Sequence, residues 1–180
     1  MTNALRLETP RLGLVAATAE MARAEIEDLD RLAELLGARL PFWPPRPFEE
    51  GEQSAQLKLL EEDPSTTGWT TWYFLLPLAS GRIAIGRGGF KGKPTEHGGV
   101  ELTYSLTPGY EREDYARDAV RGLLSWAFMQ ERVGSVLACS PPQSGLELRV
   151  LEECGFVRRN EPADARGVFE LRRPSLGASQ

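Results

Sequence analysis

The chain is poor in the residues that many site chemistries require. It has one histidine and two cysteines in 180 residues, too few for a zinc or iron–sulfur centre, so no metal site is expected. Cys139 and Cys154 read as buried thiols of a reducing, cytoplasmic compartment, not as a disulfide. His97 lies in a Lys, Pro, Thr, Glu and Gly stretch that reads as an exposed loop. No apolar run approaches the roughly 20 residues that span a bilayer, and the first residues carry no signal-peptide pattern. Membrane insertion is therefore not expected. Basic runs are missing too. The 21 Lys and Arg face 26 Asp and Glu, for a net charge of −5. Without a basic stripe, nucleic-acid binding is not expected. The small acidic surplus suits a soluble surface and mildly favours a cationic substrate. Repeats and long linkers are also lacking, so residues 1–174 read as one domain and 175–180 as a flexible tail.

What the chain does have is a central unit, residues 100–129. Val100 to Leu106 alternates apolar and polar residues and is rich in β-formers. Pro108-Gly109 breaks it. Ala116, Ala119, Val120, Leu123, Leu124, Ala127 and Phe128 then recur at helical spacing. Glu113 and Asp114 fall in the first turn, where the helix dipole favours carboxylates. A strand feeding a helix through a short loop aims free N–H groups at an anion such as a phosphate, or is simply a β-turn-α unit.

Around this unit, residues 5–15 read as an edge strand interrupted at Pro10, or two short strands. Residues 19–36 read as one helix with Ile26, Leu29, Leu32 and Leu36 inward, stopped by Gly37. Residues 40–48 contain Pro41, Pro44, Pro45 and Pro47, which forbid helix and central strand. They read as an extended loop whose aromatics either line a groove or cover the core edge. Residues 48–62 read as a helix with Ala55, Leu59 and Leu60 inward. Residues 68–78 and 82–90 read as a hairpin, with Gly86, Gly88 and Gly89 as bulges or close-packing points. Residues 133–140 read as a buried strand, and 144–154 as a helix closed by Gly155. Residues 156–159 and 167–172 read as final strands. Antiparallel strands followed by crossovers imply an α+β domain with a mixed, mostly antiparallel sheet and flanking helices.

Four phrases in this order resemble the GNAT superfamily of N-acetyltransferases, in particular the branch that acetylates ribosomal-protein N-termini. They are Leu7-Glu8-Thr9-Pro10-Arg11-Leu12, the run VELTYSLTPGY from Val100, YARDAVRGLLSWAF from Tyr115, and LRVLEECGF from Leu148. The resemblance implies acetyl transfer from acetyl-CoA to a primary amine, either a peptide N-terminus or a small molecule, by direct attack. It implies two splayed parallel strands, 100–106 and 133–140, holding acetyl-CoA along Tyr104, Ser105 and Leu106. The pyrophosphate would sit at Arg112, Glu113, Asp114, Tyr115 and Ala116. Glu101 matches the carboxylate that serves as base through water. Trp43 and Trp72 are candidates for the amine groove, with core packing the alternative for Trp72, and a homodimer is implied by relatives.

The same resemblance exposes departures. The family's phosphate phrase begins with Arg or Gln where this chain has Glu111, and has Gly where it has Asp114; the final small residue remains as Ala116. A Cβ and a negative charge at Asp114 both oppose a phosphate. The family's Asn, Ser and Tyr near the last helix fall on Ser144, Glu147 and Leu151, leaving Ser144 as the candidate acid. Two readings follow: an active N-acetyltransferase with a divergent phosphate loop, or a protein of this fold that has lost acetyl-CoA and serves as a binding module.

Overall fold

The computed structural model describes residues 4–140, 145–159 and 167–175. Its eight strands are β1 (Arg6–Glu8), β2 (Gly13–Ala16), β3 (Thr71–Leu78), β4 (Gly81–Phe90), β5 (Gly99–Leu106), β6 (Ser135–Ser140), β7 (Val157–Arg158) and β8 (Gly167–Arg172). Its helices are α1 (Ala19–Glu27), α2 (Leu29–Leu36), α3 (Glu52–Glu62), α4 (Glu113–Met129) and α5 (Gly145–Glu153). The strands form one sheet in the order β1-β2-β3-β4-β5-β6-β8-β7. Among the described strand pairs, only β5–β6 is parallel. The architecture is the mixed α+β one that the sequence implies.

Strand alternation sends successive side chains to opposite faces. Trp72, Phe74, Leu102 and Leu106 pack on one face with Ala119, Val120, Leu123 and Ala127 of α4 and Val150 and Leu151 of α5. Tyr73, Leu75, Val15 and Ala84 pack on the other with Met21 and Ala24 of α1 and Leu32 and Leu36 of α2. The core thus lies in two layers, one on each side of the sheet. Among the described residues, no helix is long and apolar enough to cross a membrane and no group of side chains could hold a metal ion.

Three sequence expectations change. Residues 19–36 are two helices, because Asp28 interrupts them: its side chain accepts from Asp30 N and Arg31 N and caps α2. That break shifts the helical phase, so Ile26 and Leu29 are exposed. α3 starts at Glu52, and only Leu60 of its three expected inward residues is buried. Cys139 is exposed, since alternation buries Val136 and Ala138 under α4 and α5 and turns Cys139 away.

The glycines of β4 do mark a bulge and close packing. The β3–β4 register slips between Phe74 and Leu75. Gly89 has φ +143°, and a Cβ there would lie 1.9 Å from Thr70 O. The Thr9-Pro10-Arg11 turn has a clear structural purpose. Arg11 N donates to Asp118 Oδ2 at 2.8 Å and Arg11 Nη1 lies 3.3 Å from Oδ1, tying the chain start to α4.

Candidate active site

The parallel pair sets the geometry. β5 and β6 are in register from Gly99↔Ser135 to Leu102↔Ala138 and then part. β5 continues to Leu106 along β4, while β6 continues to Ser140 along β8. Lys91 N donates to Glu101 O at 3.0 Å and Thr107 N to Ile85 O at 2.7 Å. Odd-numbered residues of β5 therefore bond β4, and Leu102, Tyr104 and Leu106 turn their backbone groups the other way. Leu102 meets β6. Tyr104 and Leu106 face the opening, where their backbone N–H and C=O groups meet no strand among the described residues.

A cavity of about 650 Å³ runs through this opening. Glu52 and Gln56 of α3, Arg87 of β4, Glu101 of β5, Cys139 of β6 and Leu151 of α5 are among its walls. Glu101 Oε1 accepts from Lys91 Nζ at 2.6 Å, and its side chain keeps 34% of its exposure. Tyr104 also lines the cavity, yet its hydroxyl is buried with no hydrogen-bond partner. Burial and the charge of Glu147 push that phenol well above its ordinary value, so it stays protonated.

A second feature lies beyond the opening, at the start of α4. Arg112 is the N-cap and its side chain makes no capping bond. The first intrahelical bond there is Ala116 N to Arg112 O at 3.1 Å. Among the described residues, the N–H groups of Glu113, Asp114 and Tyr115 are therefore left without a helical or side-chain partner. The Arg112 guanidinium stands 5.5 Å from the centroid of the Tyr115 ring. The first-turn acids point along the helix toward Arg117. Asp114 Oδ1 is 2.7 Å from Arg117 Nη2 and Glu113 Oε1 is 3.5 Å from Nη1, which also binds Glu153. A hydrogen bond with Glu153 raises the Glu113 carboxyl above its ordinary value. Glu111 stays exposed.

The structure thus brings Glu101, Tyr104 and Ser105 into one cavity, with Leu106 at the edge of the opening and residues 112–116 at the adjoining helix start. It does not bring the two tryptophans there. Trp72 is 0% exposed, its indole Nε1 donates to Gly68 O at 2.9 Å, and it packs on Trp126. Its even position on β3 places it in the α4 layer, so it is core and cannot line a groove. Trp43 is half-buried behind the cavity wall, donating to Glu25 Oε1 at 3.1 Å and tilted on Tyr73. Ser144 lies outside the described residues.

Sequence reasoning missed an ionic cluster on the α1–α3 face. Arg87, only 4% exposed, holds Glu52 Oε1 at 2.5 Å and lies 3.6 Å from Glu25 Oε2. Its guanidinium also sits 4.0 Å over the Phe48 ring. Arg46 binds both oxygens of Glu52. Burial pushes the Glu25 carboxyl above its ordinary value, against the pull of Arg87 and the bonds from Trp43 and Tyr73. On Glu52 burial also pushes upward, but Arg46, the Glu49 N–H and Arg87 outweigh it and hold the carboxyl low. The available signal is Arg87, which interrupts the otherwise apolar run after Arg82. A second is the stripe Glu52, Ala55, Gln56 and Leu59, which all face the cavity.

Known proteins share this fold. The acetyltransferase (GNAT) domain pattern matches residues 20–157. A relative in Bacillus subtilis (strain 168), the uncharacterized N-acetyltransferase YjdG, is 27% identical over 164 residues, covering 91% of this chain and 92% of its own. The ribosomal-protein-S5-alanine acetyltransferase of Vibrio fischeri superposes with a TM-score of 0.64 at 17% identity, over 95% of this chain and 98% of that one. The spermidine/spermine N-acetyltransferase SpeG of Vibrio cholerae does so with a TM-score of 0.58 at 16% identity, over 91% and 95%. At such identities the two structures speak for the fold. The domain match spans well over half of the sequence, and the chain belongs to the GNAT acetyltransferase family.

Proposed function

We propose that residues 1–174 form one N-acetyltransferase unit that moves an acetyl group from acetyl-CoA to a primary amine by direct attack. The observation that carries this is the open edge of β5 beyond Leu102, set against a cavity that reaches Glu101. The residues present fit the coenzyme. The backbone groups of Tyr104 and Leu106 pair with an amide-bearing arm as an added strand would. The free N–H groups at the start of α4 and the positive helix end receive a pyrophosphate. Arg112 adds a positive charge there, and Ser105, Tyr115 and Ala116 complete the contact surface. Bound acetyl-CoA supplies a thioester carbonyl with a thiolate leaving group.

Glu101 takes the proton of the attacking amine through a water molecule, with Lys91 fixing one of its oxygens. Ser144, which falls on the family's Asn position, substitutes for the family's acid and protonates the departing thiolate. Glu113 and Asp114 are tolerated near phosphate because Arg117 holds both carboxylates. The reading assigns the protein to the cytoplasm and leaves a homodimer compatible with it.

The competing reading, a binding module without acetyl-CoA, draws on exposed Glu111 beside the phosphate site. Titration calorimetry with acetyl-CoA at low and moderate salt separates the two. Micromolar binding is expected. No heat at millimolar acetyl-CoA would overturn the transferase reading in favour of the module.

A further inference from the structure

Among the described residues, four buried side-chain polar atoms lack a hydrogen-bond partner: Gln56 Nε2, Thr70 Oγ1, Arg87 Nη1 and Tyr104 OH. All four residues line the one cavity described above. A buried polar atom without a partner costs on the order of 1–3 kcal/mol, and native proteins keep few of them. Their presence around one cavity marks where a polar ligand belongs.

Their chemistry is one-sided toward α3. Of the acids there, Glu49 is exposed, and Glu52 and Glu25 are already engaged. Glu52 Oε1 accepts from Arg46 and Arg87, and Oε2 accepts from Arg46 and from Glu49 N. Glu25 accepts from Trp43 and Tyr73. The spare capacity is in donors: Arg87 Nη1, which lies 3.6 Å from Glu25 Oε2, beyond hydrogen-bond reach, and the amide of Gln56, one turn beyond Glu52, whose Oε1 already accepts from Thr71 Oγ1 at 2.9 Å. Burial also weakens Glu25 as a counter-charge to Arg87. The cavity's other end is the reverse, for Glu101 uses one oxygen on Lys91 and keeps Oε2 for a donor. Arg87 pairs with Ser105, four residues along β5 from Glu101. The two ends are therefore about 13 Å apart along the strand before the side chains reach inward.

Building on the acetyl-transfer reading, we propose that the acceptor is an amine carrying a carboxylate at its far end. Its nitrogen lies at Glu101, and its carboxylate is received by Arg87 and Gln56. A plain alkylamine leaves those donors unmatched. A diamine brings a second cation against Arg87 and Arg46.

Three acceptors of matched length test this: γ-aminobutyrate, n-butylamine and 1,4-diaminobutane. The readouts are kcat/KM with saturating acetyl-CoA, and calorimetric affinity for each acceptor with free coenzyme A present. The expected result is at least about a tenfold preference for γ-aminobutyrate over n-butylamine, with the diamine poorest, as a charge-assisted hydrogen bond supplies. Gln56→Leu should shrink that ratio several-fold. It tests the site even if Arg87→Lys, which disturbs a buried ion cluster, fails to fold. An equal or reversed order in wild type, or a ratio unchanged by Gln56→Leu, overturns the acceptor assignment while leaving acetyl transfer standing. If acetyl-CoA binds but nothing turns over, the order of the three affinities decides by the same rule. If acetyl-CoA does not bind at all, the transferase reading falls and this assignment falls with it.

Discussion

The two faces of the sheet bury different chemistry. On the α4 face Trp69, Trp72, Phe90 and Trp126 meet with ring centroids 4.7 to 5.9 Å apart. The buried charge there, Asp118, is fully matched by Arg11 and Thr9. On the α1–α3 face Glu25, Arg87, Glu52 and Tyr73 replace hydrocarbon with an ionic cluster, and Arg87 keeps a donor unmatched. A buried ion cluster is weak evidence for stability, since desolvation offsets most of its attraction. The first face holds the shape of the domain. The second gives up some stability to keep polar groups beside the cavity.

If that contrast is right, the largest stability losses come from the apolar face. Trp72→Ala should destabilise by about 3–5 kcal/mol, measured by urea unfolding, because a large cavity opens in a layer with no water access. Arg87→Leu should cost about 3 kcal/mol near pH 8, because it leaves Glu25 and Glu52 without their buried partner. The two losses should differ in pH dependence. The folded carboxyl of Glu25 titrates above its unfolded value. In the window just above the ordinary carboxylate range the native state therefore binds more protons, and stability falls as pH rises. The Arg87→Leu deficit should accordingly shrink toward pH 5, whereas that of Trp72→Ala should stay flat. Glu25→Gln should remove the slope from the parent protein. A pH-independent Arg87→Leu deficit would erase the distinction between the faces.

Asp118→Ala comes next, at about 2 kcal/mol, because it strands the Arg11 N–H and the Thr9 hydroxyl. Denaturant unfolding measures it. Tyr104→Phe should act in the opposite direction and stabilise by about 1 kcal/mol, since it removes a buried hydroxyl that has no partner. A raised melting temperature would show that the cavity wall trades stability for polar capacity, and a lowered one would show that the hydroxyl is satisfied in solution.

The α4 face was the more legible in the sequence, and the reason is physical. Its layer comes from period-two and period-3.6 patterns, as in residues 100–106 and 116–128, which burial alone dictates. The site on the other face comes from exceptions to pattern. Arg87 interrupts an apolar strand and Glu25 interrupts an apolar helix face, and neither shows its partner locally, because the ion pairs join residues far apart in sequence. By pattern Asp28 is one more helical residue, though its cap splits the helix and exposes Ile26 and Leu29. Trp72 and Trp43 were equivalent as letters. Only the register of β3, with Trp72 opposite Gly88, assigns one to the core. Leu106 and the helix start could be placed beside the opening from the strand-turn-helix pattern. The spare donors of Gln56 and Arg87 could not.

The smallest expected effect concerns the acids at the start of α4. As letters, Glu111, Glu113 and Asp114 oppose a phosphate alike, yet the structure separates them. Arg117 lies 2.7 Å from Asp114 and 3.5 Å from Glu113, whereas Glu111 is exposed. Two charges about 5 Å apart at an effective dielectric near 20 interact by roughly 3 kcal/mol, and solvent and counterions leave only a fraction of that at a surface. Glu111→Gln should therefore tighten acetyl-CoA binding by a few-fold at low salt, and the gain should fade near 0.5 M salt. Asp114→Asn should gain less, because it also frees Arg117 from a partner that places it. If Asp114→Asn instead tightened binding more than Glu111→Gln, the Arg117 clamp would not be shielding the phosphate site, and the helix start would be as repulsive as its sequence suggests.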